Sequence, residues 1–118
     1  MNRDCTVYET ADFIGKRWTL LILLELYKGK SKKRYSEIKK DLKEITPKIL
    51  SARLKELEKK DLIKKEIDTS SIPMKCYYSL NKSGTDFIKI IQQIKSWALK
   101  WKIDNRLCQL SECKNCEL

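Results

Sequence analysis

A mainly helical α+β fold is predicted by three observations between Lys33 and Leu80. Tyr35-Ser36-Glu37-Ile38 opens a short amphipathic helix that ends near Leu42. Thr46-Pro47 opens a second helix, with a hydroxyl in N-cap position and proline at the first helical residue, where a missing N–H is harmless. Two strand-like runs then flank the turn Asp68-Thr69-Ser70-Ser71: Leu62 to Ile67, with Ile63 and Ile67 on one face, and Met74 to Leu80 returning. Pro73 stands at the loop end of the returning strand, where a lost amide donor is tolerated. Two helices meeting at a tight turn, followed by a two-stranded β wing, is the order of a winged helix-turn-helix.

The second helix spaces Leu50, Leu54 and Leu57 by four and three, which buries one stripe and turns Lys48, Ser51, Ala52 and Lys55 outward. That outward face is small, polar and cationic, as a helix entering a DNA major groove must be.

The flanking segments read as scaffold. Residues before about Tyr8 form a short arm, and Thr10 is a candidate cap for a helix running to Tyr27, with Ile14, Trp18, Leu21, Ile22 and Leu26 at helical spacing and Gly29 past its end. Asn81 or Ser83 can cap a long helix from about Lys82 to Ile103. Its residues Phe87, Ile91, Ile94, Ala98 and Trp101 follow a coiled-coil-like spacing, widened by Ile90 and Trp97. This seam is broader than a chain of 118 residues needs for its own core, so part of it, with Trp18, is expected to form a dimer interface. The alternative is packing on the first helix within one subunit. Residues 1–104 thus read as one winged helix-turn-helix domain with N- and C-terminal dimerisation helices, and 105–118 as a Cys-rich tail.

Charge points the same way. The formal net charge is +10, and from Lys28 to Lys65 there are fifteen Lys or Arg against six Asp or Glu, an excess of nine. A basic segment of this kind favours a polyanion, because each neutralised phosphate releases condensed counterions. The bland alternative is a solvated face, since 21 of the 26 cations are lysine. No apolar run approaches the roughly 20 residues that span a bilayer, and the N-terminus lacks the apolar core and cleavage site of a signal peptide. A cytoplasmic location without membrane contact is expected. An enzyme is not: the chain has no histidine, only three glycines and no phosphate-cradling loop, and no carboxylate pair set apart from surface charge.

The chain resembles the HxlR-type branch of the MarR-like winged-helix transcription regulators from Cys5 to about Trp101. The resemblance is carried by Cys5, Ile14-Gly15-Lys16-Arg17-Trp18-Thr19, Arg34-Tyr35-Ser36-Glu37-Ile38, Ile45-Thr46-Pro47-Lys48-Ile49-Leu50, Arg53-Leu54-Lys55-Glu56-Leu57-Glu58, Pro73 with Tyr78-Ser79-Leu80, and Ser83-Gly84. It departs from the family at Thr6, where proline is frequent, at Cys76, where an aliphatic residue is usual, and at Asn81, where threonine is common. The resemblance implies a homodimer with interlocked first and last helices, whose recognition helix and wing bind an imperfect palindrome near a promoter. Ser36, Thr46, Lys48, Ser51, Ala52, Arg53 and Lys55 are the candidate helix-turn-helix contacts, and Thr69, Ser70, Ser71 and Lys75 the wing contacts. Arg53 suits guanine through its bidentate fork, or else forms a salt bridge to Glu56, Glu58 or the wing. A non-specific architectural DNA-binding protein is the competing function.

Five cysteines add a second theme. Cys108, Cys113 and Cys116 are separated by four and then two residues, matching three ligands of a plant-type iron–sulfur cluster, while the closer pair would suit zinc. A fourth ligand would have to come from Cys5, Cys76, a partner chain or a small molecule. A metal-sensing tail, a thiol–disulfide switch and an inert tail all stay open. The resemblance implies that Cys5 is a sensing thiol that pairs with another cysteine. In the sequence itself Cys5 stands just ahead of the positive end of the first helix, Cys108 is a candidate partner because it follows the long helix, and Cys76 packs as a small hydrophobe.

Overall fold

The computed structural model describes residues 2–117. Helices α1 (Thr6–Ile14) and α2 (Thr19–Tyr27) lead into a two-residue strand β1 (Lys33–Arg34), then α3 (Tyr35–Leu42) and α4 (Pro47–Lys59). Strands β2 (Ile63–Asp68) and β3 (Lys75–Leu80) follow, then the long helix α5 (Lys82–Trp101), the short helix α6 (Arg106–Leu110) and one 3₁₀ turn, Cys113–Asn115.

The two central helices form where the sequence predicts, for local reasons. Thr46 Oγ1 accepts the Ile49 N–H at 3.2 Å, Pro47 occupies the first helical position, and Leu50, Leu54 and Leu57 are buried. They join Ile22, Leu23 and Leu26 of α2, Ile38 of α3, Ile63 and Tyr78 of the sheet and Ile88 and Ile91 of α5 in one core.

The sheet is three-stranded and antiparallel, in the order β1-β3-β2. The wing hairpin lies in the expected place, pairing Ile63 with Leu80 and Asp68 with Lys75. The additional strand β1 pairs Lys33 with Tyr78 and Arg34 with Tyr77. Two residues carry no period, so β1 exists only through its partner. Ile63 and Ile67 share a face as predicted, yet Ile63 is buried and Ile67 is 59% exposed, because the hairpin runs out beyond the core.

The N-terminal segment corrects the sequence reading. One helix from Thr10 to Tyr27 is expected; instead α1 begins at Thr6, inside the predicted arm, and the chain breaks between Ile14 and Thr19, with Trp18 at φ 81°. Packing imposes the break. α2 buries Thr19, Ile22, Leu23 and Leu26, whereas no residue of α1 is fully buried. The elbow is tied to α4 by an ion pair between Lys16 and Glu56 and by Arg53 Nε donating to the Arg17 carbonyl at 3.1 Å.

α5 starts after Asn81 as predicted and ends two residues before Ile103. Neither candidate side chain caps it. Asn81 Nδ2 donates to the Asp61 carboxylate at 3.0 Å and the Ile63 carbonyl at 3.1 Å, and Ser83 Oγ to the Asp61 carbonyl at 2.6 Å. Both therefore fasten α5 to the start of the wing. Gly84 lets them meet: a Cβ there would lie 2.1 Å from the Leu62 carbonyl oxygen.

Candidate nucleic-acid interface

The outward face of α4 is built by its inward one. With the three leucines in the core, Lys48, Ser51, Ala52 and Lys55 are all exposed, and neither lysine has an ion-pair partner among the described residues. Tyr35 braces the helix start: its hydroxyl donates to the Pro47 carbonyl at 3.1 Å and accepts from Ser51 Oγ at 3.4 Å. Ser36 and Thr46 are exposed on either side, although the Thr46 oxygen is already engaged as the cap.

Arg53 is the sequence candidate that the fold ties to the elbow. It is half-buried, and its Nε is spent on the Arg17 carbonyl. Neither glutamate expected to pair with it does so, since Glu56 takes Lys16. Spacing along α4 carried no sign of this, because the acceptor comes from the elbow.

Lys33 is withdrawn from the basic segment. It is 6% exposed, and its Nζ donates to the Glu25 carbonyl at 2.7 Å and the Glu25 carboxylate at 2.8 Å, with Asp41 at 3.7 Å. The buried ammonium ties the ends of α2 and α3 together.

At the wing, Thr69 and Ser70 are exposed and Ser71 and Lys75 half-buried. Asp68 accepts from the Ser70 hydroxyl and, at 2.9 Å, from the Ser70 N–H. These bonds hold the Asp68 carboxyl below the usual carboxylate range, helped by Lys32 and Lys75. Glu66 lies between Lys32 at 3.6 Å and Lys64 at 3.9 Å. The wing's acids are thus occupied locally.

The seam residues divide. Ile91 is in the protomer core, with Phe87 and Trp18 packed against it, and Ala98 is half-buried. Ile91 is therefore removed from the predicted dimer face by burial. Ile94, Trp97 and Trp101 are exposed, as is Ile90.

All five cysteines are half-buried. Cys5 is the N-cap residue of α1 and Cys108 lies on α6, while Cys76 packs at the edge of the core. Among the described residues, no three Cys, Asp or Glu side chains gather as a metal ion requires, so Cys108, Cys113 and Cys116 are not brought together within one protomer. No helix of the described residues is long and apolar enough to cross a membrane.

A basic, solvent-facing second helix beside a β hairpin defines a winged helix-turn-helix protein of the DNA-binding kind. Residues 13–106 match the HxlR-like helix-turn-helix family, and the chain belongs to it. It is 35% identical over 98 residues to the HTH-type transcriptional regulator YodB of Bacillus subtilis, covering 82% of this chain and 85% of YodB. It is 36% identical over 98 residues to the HTH-type regulator YvaP of the same organism, covering 82% and 88%. The reduced form of YodB superposes with a TM-score of 0.74 at 32% identity, covering 86% of this chain and 97% of that one. The redox regulator HypR in its oxidised form gives 0.73 at 30% identity, covering 84% and 99%. These relatives are named as regulators.

Proposed function

We propose that this protein is a transcriptional regulator that binds a pseudo-palindromic operator as a homodimer, placing α4 of each subunit in successive major grooves and the wing on the neighbouring backbone. The observation that carries the reading is the outward face of α4, where Lys48 and Lys55 are exposed around Ser51 and Ala52, with no ion-pair partner among the described residues. Lysines so placed are available to phosphates, and the small residues between them let the helix approach base edges. The exposed Ile94, Trp97 and Trp101 supply apolar surface for a second subunit.

The test is binding to the chain's own promoter region, with unrelated duplex as competitor at physiological salt. A specific regulator keeps its operator when non-specific DNA is in excess; an architectural protein loses it in proportion to the competitor.

Thiol responsiveness is the finer reading. Its support is the seating of Cys5 at the start of α1, with the elbow beyond α1 bonded to α4 through Arg17 and Arg53. Oxidation linking Cys5 to a tail thiol such as Cys108 would pull on that connection and tilt α4. Diamide, which oxidises thiols to disulfides, should then change operator affinity in the native chain and leave Cys5→Ser unaffected. An unchanged affinity in both would remove the sensing role.

A further inference from the structure

The C-terminal residues fold back as a strap. Lys95 Nζ of α5 donates to the Ser111 carbonyl at 2.8 Å, and the Gly29 N–H, in the loop between α2 and β1, donates to the Lys114 carbonyl at 3.1 Å. The Lys114 ammonium lies over the Tyr27 ring, 5.6 Å from its centre. The strap therefore joins α5 to the loop that leads into the helix-turn-helix.

Cys113 and Cys116 bracket this anchor. The Cys116 N–H donates to the Cys113 carbonyl at 3.4 Å and closes a single turn. Turns of this kind bring the outer Cα atoms within about 7 Å, close to the roughly 4.4 to 6.8 Å that a disulfide spans. Cys113 borders a cleft with Tyr27 and Lys95 and Cys116 one with Glu25, Lys33 and Asp41, and Lys114 borders both. Lys114 lies on the chain between the two cysteines, so closing a bond across the turn reshapes the backbone that presents the Lys114 carbonyl to Gly29.

We propose that Cys113 and Cys116 form a dithiol modification site, oxidised by a low-molecular-weight disulfide, and that closing the bond detaches the strap from Gly29. One protein thiolate attacks the oxidant RSSR, forming a mixed disulfide and expelling RS⁻. The second thiolate attacks the protein sulfur of that mixed disulfide and expels the other RS⁻. The two thiol protons end on the two RSH products, and the two electrons lost by the cysteines reduce the oxidant. The strap is thereby a thiol-controlled tether on the loop entering the helix-turn-helix, separate from Cys5 and Cys108 and independent of which DNA the protein binds.

The experiment treats reduced full-length protein carrying Cys108→Ser with oxidised glutathione, then maps it with trypsin without reductant. Trypsin cuts after Arg106 and Lys114, so a Cys113–Cys116 bond keeps residues 107–114 and 115–118 joined until reductant is added. In parallel, hydrogen exchange at the Gly29 amide should lose protection on oxidation, and Cys113→Ser in the same background should retain it. Three outcomes would overturn the proposal: the two peptides separating without reductant, Cys116 joined to Cys5 or Cys76 instead, or Gly29 keeping its protection once the bond has formed.

Discussion

Arg53 on α4 donates from Nε to the carbonyl oxygen of Arg17, 3.1 Å away, across 36 residues of sequence. The bond makes the recognition helix and the α1–α2 elbow one mechanical unit. Arg53→Ala should lower unfolding free energy by about 1 to 2 kcal/mol, as for loss of a charge-assisted hydrogen bond from a half-buried site. Urea denaturation reads this directly. Full stability with a large loss of operator affinity would instead mark Arg53 as a base reader.

Lys48 and Lys55 should behave in the opposite way. Each change to alanine is expected to weaken operator binding and to reduce the slope of log affinity against log salt by about one. Melting temperature should stay within a degree or two, because exposed substitutions cost little. Anisotropy titrations at several salt concentrations check both statements, and an unchanged slope would place the DNA on another face.

Buried Lys33 and half-buried Glu25 form an ion pair, 2.8 Å apart. Lys33→Met alone leaves the Glu25 carboxylate without its closest partner and should cost about 3 to 5 kcal/mol. Lys33→Met combined with Glu25→Leu should recover most of that loss, since two apolar side chains avoid the desolvation of two charges. A double variant no more stable than the single one would contradict this.

Alkaline stability should depend on Tyr78. Burial, then the neighbouring Cys76, pushes its phenol up from 10.0 to about 12. The folded state therefore favours the neutral phenol, and the resulting stability is complete below pH 10 and is lost as pH rises from 10 to about 12. Tyr78→Phe should lessen the fall over that window in denaturation curves; an identical fall in both proteins would show that other groups govern it. On the acid side, Lys30 and the Arg34 N–H hold the Glu37 carboxyl below its usual 4.5. Its contribution is present above 4.5 and fades as pH drops through the lowered value.

Trp97 is 57% exposed in the protomer. If it is covered in a dimer, Trp97→Ser with Ile94→Ser should shift sedimentation towards the monomer while far-UV circular dichroism stays unchanged. A monomeric native chain would refute the assignment outright.

The middle of the molecule was legible residue by residue. Thr46, Pro47 and the three leucines define α4 through capping and periodicity, which are local properties, and those same leucines dictate that Lys48, Ser51, Ala52 and Lys55 face outward. The wing could be read because Asp68 to Ser71 separate two extended runs. Tertiary structure alone decided the rest. β1 is too short to form without Tyr77 and Tyr78 beside it, the α1–α2 break follows from what α2 buries, Lys33 left the basic surface because Glu25 met it in space, and Arg53 gained the Arg17 carbonyl as an acceptor. The tail reads in sequence as a cysteine run, and only its return to Gly29 and Lys95 made it a strap. Local patterns determine which elements form; the partners of a charged or thiol side chain depend on distant residues that only packing brings within reach.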